Sequence, residues 1–202
     1  MLKVFRPFDD LTGGLKEGVI TLVYGPPASG KSTLCLAAAI SCSLEGKNVA
    51  YISREKQCIT RLEQMCSEKS VMGGIRFAFP ETINGLENAV RNIREMEHLG
   101  LVIIDPVNSY YWDEEDRESV FIRVLAEVSM IGKEKEIPVL ISADVYEKKR
   151  GFEPFGFRDM KRVASCVVEL EPGRDRRNIR VIKGEKGNSK TQFSITQRGL
   201  ED

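Results

Sequence analysis

The sequence predicts an α/β fold: a mostly parallel central sheet flanked by helices, with an antiparallel hairpin extension in its C-terminal third. Three observations predict it. Short apolar runs such as VITLVY (19–24), NVAYIS (48–53) and LVIID (101–105) alternate with longer amphipathic stretches through the first two thirds of the chain. These runs are rich in β-branched residues and lack polar alternation, as strands buried on both faces of a parallel sheet require. After about residue 160 the helical stretches give way to alternating segments separated by turn residues, the pattern of hairpins.

Taken in order, the strand VITLVY leads to a helix from Lys31 to about Glu45, ended by Gly46. NVAYIS precedes a helix from about Ile59 to Ser67, and IRFAF (75–79) precedes one from Ile83 to about His98. LVIID is followed by a long helix from about Arg117 to Lys135 and by the strand PVLIS (138–142). The remaining strands are VASCVVELE, NIRVIKG and KTQFSIT, joined by EPGRDRR and EKGNS. No Ser/Gly/Pro linker, repeat or low-complexity tract interrupts them, so residues 1–202 are expected to form one domain.

Composition narrows the function classes. Thirty Lys and Arg balance thirty Asp and Glu, which excludes attraction of polyanions by a global field; any nucleic-acid contact must be local. The five cysteines show no C-x-x-C spacing and read as thiols in a reducing cytosol. With one histidine, His98, a zinc site lacks material. The N-terminus MLKVFRPFDDL is charged where a signal segment is apolar, and no window reaches the roughly 18 apolar residues of a spanning helix. A cytoplasmic protein without membrane partners is expected.

The stretch GPPASGKST, comprising Gly25, Pro26, Pro27, Ala28, Ser29, Gly30, Lys31, Ser32 and Thr33, matches G-x-x-x-x-G-K-[ST]. Such a loop aims backbone N–H groups at phosphate oxygens, its lysine reaches the β and γ phosphates, and its hydroxyl serves Mg²⁺. A Gly/Pro turn beside a lysine arises without any ligand, but this one lies between a strand and a helix, where the chemistry needs it. Asp105 ends the strand LVIID, where a carboxylate holds a magnesium shell; before Pro106 it could equally begin a turn. Glu55, two residues beyond NVAYIS, sits at the C-terminal rim of the sheet, placed to polarise water or simply to face solvent.

Together these residues resemble the RecA/RadA recombinase superfamily. FDDLTGGLKEGVITLVYGPPASGKSTL resembles its approach to the phosphate loop, YISRE the strand end that carries the catalytic glutamate, and LVIIDPVNS the Walker B segment. VLISADV stands in the place of the γ-phosphate-sensing strand, and TQFSITQRGL resembles the terminal strand. The resemblance covers essentially the whole chain and implies a RecA-like P-loop NTPase core using ATP and Mg²⁺. It makes Glu55 and Lys31 catalytic, Ser32 and Asp105 metal-holding, Asp144 the sensor position and Arg61, in TRLEQM, the group that stacks on adenine. As a solvent-facing helical residue, Arg61 would need no such role.

The chain is short for the superfamily and resembles its core-only archaeal paralogues. That implies weak ATPase activity in DNA repair and homologous recombination, beside a main recombinase or other repair proteins, with self-association open. Two departures stand out. Ser53 replaces the usual aspartate before the catalytic glutamate, and Ala143–Asp144 replaces Asn–Gln at the sensor. A KaiC-like signalling or scaffold ATPase without nucleic acid shares the same catalytic order, and a small-molecule kinase is a weaker third reading.

Between Tyr146 and Lys190 thirteen Lys or Arg face seven Asp or Glu, a local +6. Lys148, Lys149 and Arg150 are interleaved with Tyr146, Phe152, Phe155 and Phe157, which suits single-stranded DNA: charges follow the backbone and rings stack on bases. The rings could instead pack on the sheet edge. Lys183 and Lys186 resemble filament residues that reach a neighbouring subunit's nucleotide. The acidic stretch SYYWDEED (109–116) reads as a solvated or partner-facing loop.

Overall fold

The computed structural model describes residues 1–110, 117–148 and 151–202. Its elements run α1 (Arg6–Thr12), β1 (Ile20–Gly25), α2 (Lys31–Leu44), β2 (Asn48–Ser53), α3 (Gln57–Met65), α4 (Lys69–Gly73), β3 (Ile75–Ala78) and α5 (Ile83–Asn92). Then come β4 (Leu99–Asp105), α6 (Arg117–Glu134), β5 (Val139–Lys148), β6 (Gly151–Pro154) and α7 (Phe157–Val163). The chain finishes with β7 (Ala164–Glu171), β8 (Arg177–Lys183), β9 (Lys190–Thr196) and β10 (Gly199–Glu201).

The described strands make one sheet in the order β10-β9-β8-β7-β1-β5-β4-β2-β3, with β6 paired to β5. From β7 to β3 the pairing is parallel; from β7 outward through β8, β9 and β10 it is antiparallel. β1 and β4 are buried at every residue, which is why their sequences are apolar throughout. Successive residues supply opposite faces. Leu22 joins a core under α5 and α6, while its neighbour Val23 joins one under α1 and α2.

Four local features differ from the sequence expectation. The charged N-terminal stretch contains α1, whose Pro7 lies in the first turn and whose Phe8 and Leu11 are buried. Asp9 steadies it by accepting from Val4 N–H with both carboxylate oxygens, each at 3.1 Å. β5 continues beyond residue 142, where the strand PVLIS is expected to end, to Lys148 and pairs antiparallel with β6, so the basic, aromatic segment is in part a hairpin. The C-terminal third is not purely strand, because α7 precedes β7; its Met160 is buried, and the Phe157 ring meets Tyr24 edge-on at 5.0 Å. Finally β7 lies parallel to β1, and the antiparallel extension begins only with β8.

All five cysteines are free; Cys35, Cys42 and Cys58 are buried, Cys66 and Cys166 half-buried. Burial pushes the Cys42, Cys58 and Cys166 thiols up to about 11, so they stay protonated at neutral pH. Among the described residues no helix is long and apolar enough to cross a membrane.

Candidate nucleotide-binding site

β1 delivers the phosphate-loop motif to the C-terminal edge of the sheet, and α2 begins at Lys31 with no side-chain cap on its first N–H groups. The glycines are sterically required. A Cβ on Gly25 would lie 2.2 Å from the Leu170 carbonyl oxygen, and one on Gly30, whose φ is +104°, would lie 2.7 Å from Ile195 Cδ1. The loop curls tightly, with Ser29 N–H donating to Pro26 O at 3.2 Å and Ala28 in a left-handed conformation. Uncapped helical N–H groups, a positive helix end and a fixed curl make an anion cradle.

Lys31 points its ammonium back across this curl. It donates to Gly25 O at 2.8 Å and Pro26 O at 3.1 Å, and pairs with Asp144 Oδ1 at 3.0 Å. Asp144 arrives beside the loop because β5 runs parallel to β1 with Asp144 opposite Gly25. Asn108 holds it there: the Asn108 amide donates to Asp144 O at 2.8 Å and accepts from Asp144 N–H at 2.9 Å.

Asp105, at the end of β4, is only 3 % exposed. A charge that deep needs donors, and it has two hydroxyls: Tyr51 donates to Oδ2 at 2.7 Å, and Ser142 donates to Oδ1. Burial, and then the adjacent Asp105 charge, holds the Tyr51 phenol well above its usual range, so it remains a donor. Ser53, on the neighbouring β2, donates its one proton to Asp105 O at 2.7 Å and accepts from Glu55 N–H at 3.0 Å. One short hydroxyl thus ties the Glu55 turn to the Asp105 strand, a job an aspartate could not do by donating.

A cleft of about 340 Å³ gathers the pieces: Lys31, Ser32, Glu55, Arg61, Asp105 and Asp144 all line it. A second lobe of about 410 Å³ continues past Thr33 to Arg61, Arg177 and the β9–β10 turn. Arg61 stands between the lobes, donating to Thr196 O at 2.7 Å, Gln197 O at 3.1 Å and Gln64 Oε1 at 3.0 Å. Those bonds occupy the edge of the guanidinium, whereas stacking uses its faces. For Mg²⁺ the donors fit: Ser32 and Asp105 line one cleft and carry side-chain oxygens, the ligand type of an ion that takes its remaining ligands from phosphates and water. Among the described residues no group of three or more His, Cys, Asp or Glu forms a separate metal cage.

Sequence reasoning missed Asn108, Tyr51 and Ser142, which hold the two aspartates, and Arg177, whose Nε donates to Ala28 O at 3.3 Å. Two predicted lysines lie elsewhere. Lys183 pairs across the ladder with Val167, toward the sheet end opposite the loop, and its ammonium donates to Ala164 O at 2.5 Å and Lys161 O at 3.0 Å. Lys186 donates to Asp10 O at 2.7 Å, so neither approaches this chain's own cleft. Lys149, Arg150 and the side chain of Lys148 lie outside the described residues, as does most of SYYWDEED. Of the interleaved rings, Phe157 packs on Tyr24 and Phe155 on Tyr146 at 4.3 Å, both half-buried, as the sheet-edge alternative expects.

A glycine loop between a buried parallel strand and a helix, faced by a buried carboxylate at the end of the next strand but one, defines a P-loop NTPase core of RecA-like build. Residues 2–143 match the family model of the AAA domain. More narrowly, the chain belongs to the family of the DNA repair and recombination protein RadB. It is 31 % identical to RadB of Thermoplasma volcanium, covering 95 % of this chain and 88 % of that one. It is 28 % identical to RadB of Methanococcoides burtonii, covering 99 % and 96 %. The crystal structure of the RadB recombinase superposes with a TM-score of 0.82 at 26 % identity, over 100 % of this chain and 99 % of that one.

Proposed function

We propose that this chain is an ATP-binding protein with weak, Mg²⁺-dependent ATPase activity that acts in DNA repair and homologous recombination. In this reading it binds DNA, single strands by preference, in the cytoplasm and beside the main recombinase. The observation that carries the proposal is the convergence of Lys31, Ser32, Glu55 and Asp105 on one cleft beneath the glycine loop. Family membership supports the same assignment.

The backbone N–H groups of the loop from Ala28 to Thr33, beyond the two prolines, bind the phosphates, and Lys31 neutralises their β and γ oxygens. Ser32 and Asp105 would hold Mg²⁺, which when bound supplies charge neutralisation across those oxygens. Glu55 orients a water and takes its proton, while Ser53 keeps the glutamate's turn in register with Asp105. Arg61 offers its guanidinium face to the base. Lys148, Lys149 and Arg150 follow the phosphates of DNA.

Calorimetric titration of ATP with Mg²⁺ tests the premise. Lys31→Ala is expected to weaken affinity by about 10–100-fold, the loss of charge-assisted hydrogen bonds to phosphate. Unchanged affinity would remove the nucleotide assignment. For the DNA role, binding of a fluorescent single-stranded oligonucleotide is expected to fall steeply as salt rises, because phosphate contacts release counterions. Absence of binding at low salt would favour a protein-scaffold ATPase instead.

A further inference from the structure

The cleft beside the phosphate loop carries the Asp144 carboxylate, mounted on a backbone that is held in place and paired with Lys31. An ammonium has three protons to donate, and Lys31 has placed all three: on Gly25 O, Pro26 O and Asp144 Oδ1. The lysine that would bind phosphate is therefore saturated from within the chain. Asp144 cannot easily withdraw. Its backbone is clamped on both sides by the Asn108 amide, and Asn108 is fully buried. The Asp144 side chain is 37 % exposed and opens on the cleft that Glu55 and Asp105 also line, so rotating it within the cleft meets like charge.

We propose that Asp144 makes this site discriminate by phosphate number, accepting a nucleoside diphosphate at least as tightly as the triphosphate. The proposal rests on the nucleotide-binding reading above and adds the ligand form the site prefers. A diphosphate engages Lys31 through its β-phosphate and leaves the Asp144 side of the ammonium in place. A triphosphate brings a further negative group to that side, where the carboxylate both repels it and competes for the same proton. Like charges brought together in a partly desolvated cleft are costly. An amide at this position would donate a hydrogen bond to the γ-phosphate; the carboxylate accepts only. A resting state loaded with the diphosphate product follows, and turnover is slow because the product stays.

The test is a titration of the full chain with Mg²⁺, comparing ADP with a nonhydrolysable ATP analogue in wild type, Asp144→Asn and Asp144→Ala. In wild type the diphosphate is expected to bind at least as tightly. In Asp144→Asn the triphosphate is expected to gain about tenfold relative to the diphosphate, with Asp144→Ala shifting the same way. A wild type that prefers the triphosphate, or a relative gain below about threefold in either variant, overturns the proposal. The half-exposed position makes both variants compatible with folding, and circular dichroism checks each. A wild type that binds neither nucleotide brings down the nucleotide reading itself, an outcome distinct from two bound nucleotides with an unmoved ratio.

Discussion

Glu55→Gln is expected to lower ATP turnover by about 10²–10⁴-fold while leaving ATP affinity nearly unchanged. The amide keeps the size and much of the hydrogen bonding of the carboxylate but cannot accept a proton from water. The turn that carries it survives, since Ser53 holds the Glu55 backbone and not its side chain. Single-turnover cleavage of ATP at excess protein and saturating Mg²⁺, which product release does not limit, reads the effect, and titration of ATP under the same conditions separates chemistry from binding. Turnover equal to wild type would reassign the glutamate to the solvated rim and leave the water without a base.

Phe193→Ala is expected to cost about 3–5 kcal/mol of stability, the usual range for emptying a large aromatic site in a core. Phe193 on β9 is fully buried, with its ring edge-on to Phe5 at 5.6 Å. The same ring lies under the phosphate loop: a Cβ built on Gly30 would be 3.4 Å from it. Truncation therefore opens a void directly beneath the cradle, and nucleotide affinity should fall along with the urea midpoint. Phe193→Leu, which keeps most of the volume, is expected to recover a large part of both losses. A cost below about 1 kcal/mol would mean that α1 and β9 close over the void, and that the loop does not depend on this support.

Much of this site was legible because its signals are local. Gly25 through Thr33 is a contiguous motif, Asp105 ends an unbroken apolar run, and Glu55 follows another, so strand ends alone bring them to one edge of the sheet. Tyr51, Ser142 and Asn108 carry no such mark. Tyr51 reaches Asp105 across 54 positions and Ser142 across 37, contacts that exist only once β4 lies between β2 and β5. Arg177 is separated from Ala28 by 149 residues, and nothing in its local sequence ties it to the phosphate loop. The β5–β6 hairpin and α7 were obscured for another reason. Interleaved charges and rings in VYEKKRGFEPFGF suit contact with single-stranded DNA as well as packing on the sheet, while the buried side of α7 shows in its seven residues as little more than Met160.

Arg61 grips main-chain oxygens of Thr196 and Gln197, not their side chains. Every amino acid carries that same acceptor, so replacing Gln197 with another residue preserves the latch. The outer rim of the groove is thereby insulated from mutational drift at the turn, whereas losing the arginine itself would unfasten α3 from the last hairpin. Evolution could vary the chemistry presented at this rim while keeping its width.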